Sequence, residues 1–205
     1  MSNPERIVFI VDDDRLVRDS IADLLNSAGF TVQTFGSATE FVQGQRPDVP
    51  ACLILDVELP DISGLDLQTE LAKSGIEMPI VFLTGHGDIP MSVRAMKAGA
   101  VEFLTKPFGK QDLLDAINEA LLRDVEVRKQ RSECIELQKR LGTLTPRERQ
   151  VLALVVTGLL NKQIAGELGT TEVTIKVHRG QVMRKMQAAS FADLVRIAEK
   201  LEISV

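Results

Sequence analysis

The sequence has no tryptophan and no tyrosine, and its only aromatics are eight phenylalanines. Any core it builds must therefore be mainly aliphatic. Its two cysteines, Cys52 and Cys134, stand far apart, which excludes a metal-ligand spacing and suggests no disulfide framework. Long apolar runs are missing as well. The longest early run, Ile7–Val11, is too short for a signal-peptide core or a membrane span. Together these absences lead us to expect a soluble, cytoplasmic protein in a reducing compartment, with no membrane partner. The chain is nevertheless 44% hydrophobic over 205 residues, which suffices for one large domain or two small ones.

Basic residues are scarce at one end. Residues 1–123 carry a net charge of −9, residues 124–141 carry +1 and residues 142–205 carry +3. The division predicts an acidic first domain, a helical linker over 124–141, and a mildly basic second domain suited to a polyanion. Within 170–186, "TTEVTIKVHRGQVMRKM", Lys176, Arg179, Arg184 and Lys185 face a single acid, Glu172.

In the first half, short apolar runs alternate with helical periodicity. Strands are expected at Ile7–Val11, Thr31–Phe35, Cys52–Leu55, Ile80–Leu83 and Val101–Leu104. Between the first two, Val17, Ile21, Leu24, Leu25 and Ala28 recur at helical spacing, and Gly29 ends that helix. Ser37-Ala-Thr-Glu40 has the form of a capping box. Further helices fit Gly64–Ser74 and Ile89–Ala98. Strands alternating with helices predict an α/β doubly wound parallel sheet of five strands. A glycine- and proline-free stretch from Gln111 to Leu141 predicts one long helix. Its apolar stripe (Leu113, Leu114, Ile117, Ala120, Leu121, Val125) fades after Glu126, so the second half is expected to be solvated or paired with another chain. Gly142 should break it. Thr145-Pro-Arg-Glu148 then opens an all-α domain with an N-cap, a first-position proline and a capping box.

Asp12, Asp13 and Asp14 follow the first strand, Asp56 ends the third, Thr84 the fourth, and Lys106-Pro107 follows the fifth. In an open parallel sheet the strand carboxyl ends share one edge, where sites form. Clustered carboxylates favour a hard cation such as Mg²⁺. A carboxylate beside Mg²⁺ and a lysine can attack a phosphoryl group, because the cations neutralise charge on the transferring oxygens. For the Asp triplet alone, the alternative is a helix start that merely favours acids.

"VDDDRLVRDS", "LILDVELPDISGLDL", "FLTGHGD" and "EFLTKPF" resemble the receiver domain of two-component response regulators, over about residues 5–123. The resemblance implies that Asp56 is the phosphoacceptor, that Asp13 binds Mg²⁺ directly and Asp12 mainly through water, and that the backbone carbonyl of Glu58 is a further metal ligand. It also implies that Thr84 is a switch hydroxyl, Phe103 a rotating switch aromatic and Lys106 the partner of the phosphoryl group, with a cis Lys106–Pro107 bond. Glu58 and His86 fall at positions that tune hydrolysis in that family; a solvated loop position is the other reading of His86.

The second domain reads as helix, turn, short helix (Asn161–Leu168), turn and longer helix, a helix-turn-helix whose second member can enter the major groove. At 100° per residue, Ile175, Val182 and Met186 share an inner stripe, while Val173, Val177, Gly180 and Arg184 lie opposite with Lys176 on the flank. That outer face suits thymine methyls and base edges, with Lys162 and Thr174 on the phosphate backbone. Residues 142–200 are similar to the four-helix effector domain of NarL/FixJ-type (LuxR-superfamily) regulators, through "LTPRERQVL", "GLLNKQIAGELG" and "VTIKVHRGQVMRKM". The resemblance implies a recognition helix over Thr171–Met186, base contacts near Lys176 and Val177, and a dimer contact near Phe191–Lys200. The helix faces point to cationic contacts from Lys176 and Arg184 and to a packing role for His178 on the inner flank; Thr171 and Arg179 are expected among the DNA contacts as well. Gly180 departs from relatives that place a longer polar residue there.

The resulting expectation is a transcriptional response regulator with no enzymatic role. A sensor histidine kinase phosphorylates it on Asp56; it then forms a homodimer on promoter double-stranded DNA and activates transcription, with RNA polymerase as a further partner. A metal-dependent phosphohydrolase using Asp56 and Glu58 leaves the helix-turn-helix and Lys106-Pro107 unexplained. A module that binds acidic protein instead of DNA would lack steep salt dependence on duplex DNA.

Overall fold

The computed structural model describes residues 6–85 and 88–203. The chain divides into two compact units, 1–128 and 129–205. The first holds β1 (Ile7–Val11), α1 (Arg15–Ser27), β2 (Thr31–Phe35), α2 (Ala38–Gln43), β3 (Ala51–Asp56), α3 (Gly64–Lys73), β4 (Ile80–Thr84), α4 (Ile89–Lys97) and β5 (Glu102–Thr105). The five strands form one parallel sheet in the order β2-β1-β3-β4-β5. β1, β3 and β4 are buried throughout, which is why they read as unbroken apolar runs. The edge strand β2 is half-exposed, and its TVQTF accordingly mixes polar with apolar residues.

Side chains on β1 alternate between two cores, as strand geometry requires. Ile7, Phe9 and Val11 join Phe41 of α2, Leu67 of α3 and Ala95 of α4. Val8 and Ile10 join Ile21 and Leu25 of α1, and Leu113, Ile117 and Leu121 of α5 (Lys110–Gly142). Helices therefore cover both sheet faces. Burying each such leucine, isoleucine or phenylalanine contributes about 1.5–3 kcal/mol, so the two layers fix where every strand end points.

The second unit contains α6 (Pro146–Val156), α7 (Asn161–Glu167), α8 (Glu172–Met186) and α9 (Phe191–Lys200). Val151, Leu152, Ile164, Ile175, Val182, Met186 and Leu194 form its core. The capping box at Thr145 and Glu148 is complete. Gly169, at φ 60°, makes the turn between α7 and α8, and the Thr171 side chain caps α8.

Three expectations need correction. The long helix runs one residue further at each end than 111–141 and includes Gly142. Its second half is mostly exposed, as expected, but its end is packed. Leu137 is buried and Leu141 packed in the core of the second unit, and Glu133 pairs with Lys200 of α9 at 2.8 Å. Two leucines one turn apart seat the helix end although the stripe as a whole fades. Finally, Ser37 caps Glu40 N as expected, but the Glu40 carboxylate accepts from Gly36 N rather than from the cap residue, so the box is open. Strand ends differ from the expected ones by a residue: β3 gains Ala51 and Asp56, β4 gains Thr84, and β5 is shifted to 102–105.

Candidate functional site

The sheet brings its acidic carboxyl ends together around one lysine. Lys106 Nζ lies 2.6 Å from Asp12 Oδ2 and 2.6 Å from Asp56 Oδ2. Lys106 N also donates to Thr84 O at 2.7 Å, which locks the end of β5 to the end of β4. Asp12 and Asp56 are only 2% and 6% exposed. Two buried carboxylates are tolerable side by side because each has a cationic partner. Burial raises the Asp12 carboxyl above its ordinary value, although Lys106 pulls the other way. Burial likewise opposes the charge on Lys106, but the hydrogen bonds to Asp12 and Asp56 outweigh it and hold the ammonium above the ordinary lysine value.

The Asp triplet divides its tasks. Asp14 caps α1, accepting from Leu16 N at 2.8 Å. Asp12 turns into the pocket, and Asp13 stays exposed at its rim. Asp12, Asp13 and Asp56 each offer a carboxylate oxygen, all within 4.8 Å of one another. Within the triplet, Asp14 serves the helix start while Asp12 and Asp13 lie beside Asp56. Glu58 is exposed, and its N–H donates to Asp56 Oδ1 at 3.0 Å. Thr84 is fully buried. Phe103 is half-buried with its ring centroid 6.1 Å from that of Phe82. The Lys106–Pro107 bond is cis. His86 lies outside the described residues.

Two residues of this site escaped the sequence reading. A Cβ on Gly64 would stand 2.2 Å from Asp56 O, so only glycine lets the α3 start close against the end of β3. The glycine at the start of the helix, ahead of "LDL", is a signal for such a close approach. Asp61 accepts from Thr39 N and Thr39 Oγ1, both at 2.7 Å, and pins the loop after Asp56 to the start of α2. Its partner is 22 positions away, beyond any local pattern.

In the second unit, α8 presents an outer face of exposed Val173, Lys176, Val177, Gly180 and Arg184. Val173 and Val177 are 73% and 56% exposed, unusual for valines on a packed helix. A Cβ at Gly180 would meet no described atom within 4 Å. Lys162 and Thr171 are exposed, while Thr174 and His178 are half-buried. Thr174 Oγ1 shares a hydrogen bond of 2.9 Å with Thr171 Oγ1. The other two α8 cations turn inward. Lys185 pairs with Glu148 of α6 at 2.6 Å. Arg179 donates to Asn161 Oδ1 at 3.2 Å and stacks over Phe191. No helix among the described residues is long and apolar enough to cross a membrane.

Comparison with known proteins matches this division. Residues 8–118 match the response regulator receiver domain, and residues 142–198 match the luxR family of bacterial regulatory proteins. Nodulation protein W of Bradyrhizobium diazoefficiens is 54% identical over 203 residues, which is 99% of this chain and 89% of that protein. Response regulator protein TmoT of Ectopseudomonas mendocina is 46% identical over 205 residues, all of this chain and 93% of that one. The solved structure of response regulator StyR, 52% identical, superposes with a TM-score of 0.83 over 96% of this chain and 99% of its own. A receiver implies a sensor kinase as partner and a luxR-family domain implies DNA binding, and the family is one of regulators rather than enzymes. The chain belongs to the transcriptional response regulators of two-component systems that join a receiver domain to a LuxR-type helix-turn-helix domain.

Proposed function

We propose that a sensor histidine kinase phosphorylates this regulator on Asp56, and that the modification governs promoter binding by the C-terminal helices. The Lys106 ammonium, 2.6 Å from both Asp12 and Asp56, carries this reading. It is a fixed cation located where a transferred phosphoryl group brings negative charge. An Asp56 carboxylate oxygen attacks phosphorus, the bond from phosphorus to the kinase histidine nitrogen breaks, and an acyl phosphate forms. Lys106 then pairs with a phosphoryl oxygen and the Thr84 hydroxyl bonds another, with Phe103 moving to follow.

Three carboxylate oxygens within 4.8 Å are a hard donor set that suits Mg²⁺. Asp12, Asp13, Asp56 and the Glu58 backbone carbonyl would hold the ion, whose chemistry is to neutralise charge on the phosphoryl oxygens.

The signal passes from the receiver, residues 1–123, through the helical segment 124–141 to the DNA-binding residues 142–205. Phosphorylation favours a homodimer, and dimers set two copies of α8 on a pseudo-palindromic promoter. Val177, Lys176 and Arg184 face the base edges, while Lys162, Thr171 and Thr174 hold phosphates. Transcription is activated through RNA polymerase, and the protein works in the cytoplasm.

Incubation with acetyl phosphate and Mg²⁺ should add one phosphoryl group, detected by intact mass, and Asp56→Asn should abolish it. Undiminished labelling of the Asp56→Asn chain would overturn the assignment.

A further inference from the structure

Arg179 sits in the middle of the proposed recognition helix, where sequence alone makes it a DNA contact. Its surroundings give it partners within the domain. Its Nη1 donates to Asn161 Oδ1 at 3.2 Å, and its guanidinium carbon lies 5.1 Å from the Phe191 ring centroid. Asn161 is the first residue of α7 and Phe191 the first of α9. One half-buried side chain thus ties the starts of two helices to the centre of a third.

α7 needs such a tie. It has seven residues, too few to be stable alone. Its N-cap residue is Leu160, whose side chain cannot accept a hydrogen bond. Its far end is held from outside, since Arg147 of α6 donates to Leu168 O. α7 is therefore gripped at both ends by arginines from its neighbours, Arg147 at the C-terminus and Arg179 at the N-terminus. Lys162, an exposed cation, follows Asn161 directly.

We propose that Arg179 is a positioning residue of the DNA-binding face. It acts through Asn161 and Phe191 to fix the first turn of α7 against α8, and it does not itself grip DNA. Lysine is a useful probe. A phosphate contact tolerates lysine as a point charge, whereas a hydrogen-bonding fork stacked on a ring does not.

The test uses the full chain in two assays, because this inference rests on the DNA-binding reading above. The first is amide hydrogen exchange without DNA. R179K and N161A should each speed exchange in the first turn of α7, and combining them should add little. Unchanged exchange in R179K would overturn the grip, whether or not the chain binds DNA. The second is titration of a duplex selected from a random pool by the parent chain, at several salt concentrations. R179K should weaken binding about tenfold, the scale of one charged hydrogen bond, with the salt slope unchanged. N161A should reproduce that loss. Parental affinity in R179K would show that only the charge matters, and so would a slope lowered by about one unit in R179A while N161A stays neutral; either result makes Arg179 a phosphate contact and overturns the proposal.

Discussion

Lys185 Nζ lies 2.6 Å from Glu148 Oε2, joining the last turn of α8 to the first turn of α6. Glu148 also accepts from Thr145 N at 2.7 Å, and Lys185 also donates to Thr143 O at 3.2 Å. One of the four cations counted in the basic stretch 170–186 is thus an internal strut. The Lys185 hydrogen bond, followed by that of the Thr145 backbone, holds the Glu148 carboxyl below the ordinary glutamate value.

A depressed carboxylate pKa stabilises the fold above the ordinary glutamate value, and the contribution is lost as pH falls through the lower, folded one. Glu148→Gln should therefore lower the stability of α6–α9 by about 1 kcal/mol at pH 7. The gap to the parent should shrink as pH drops below about 4.3. Urea titration of the full chain, read at α6 and α8 amides by NMR, measures both. A gap that persists unchanged at pH 3 would mean that the carboxylate charge contributes nothing.

Asp61 offers a second pH signature, in the receiver. Its carboxylate accepts from the Thr39 hydroxyl and amide, from Ile62 N at 3.1 Å and from Ala38 N at 3.3 Å. These bonds, the Thr39 hydroxyl first, push its pKa down to about 2. The folded value is depressed, so the stabilisation is present above the ordinary aspartate value and disappears as pH falls toward 2. Asp61 is exposed, so screening keeps the effect small. Asp61→Ala should cost about 1 kcal/mol at pH 7, the scale of a lost helix cap, and clearly less at pH 2.5. Thermal unfolding at the two pH values decides it.

How far the sequence could be read depended on the range of each interaction. The β1 apolar run, the Thr145–Glu148 box and the inner stripe Ile175–Val182–Met186 were all legible, because each is set within a few residues. The convergence of Asp12, Asp56 and Lys106 was legible too, because parallel strands put their carboxyl ends on one edge. What escaped was pairing across the chain. Asp61 finds Thr39 22 positions away, Lys185 finds Glu148 37 positions away, and Arg179 finds Asn161 18 positions away. A motif also does not settle its own geometry, since Glu40 reached past Ser37 to Gly36.

Gly64 couples backbone packing to the position of Asp56. Gly64 N donates to Val57 O at 2.9 Å, and a Cβ would collide with the Asp56 carbonyl. The obstacle is backbone, so the strand end must shift. Gly64→Ala should destabilise the receiver by about 1–3 kcal/mol and slow acetyl phosphate labelling of Asp56. Parental stability combined with parental labelling would show that the α3 start yields freely and does not set the Asp56 position.

The last prediction separates holding DNA from reading it. Lys162 is exposed on the first turn of α7, ahead of α8, where side chains meet phosphates. Lys176 stands on the outer face beside Val173 and Val177. Lys162→Ala should weaken specific and scrambled duplexes alike and lower the salt slope by about one unit. Lys176→Ala should cost about 1–3 kcal/mol on the specific site and little elsewhere. Gly180 has open space around it, so Gly180→Gln should change sequence preference without unfolding α8. Titrating these variants on both duplexes at several salt concentrations tests all three claims. Equal losses on both duplexes for Lys176→Ala would make it a phosphate contact, and the reading face would then have to centre on the two valines and Arg184.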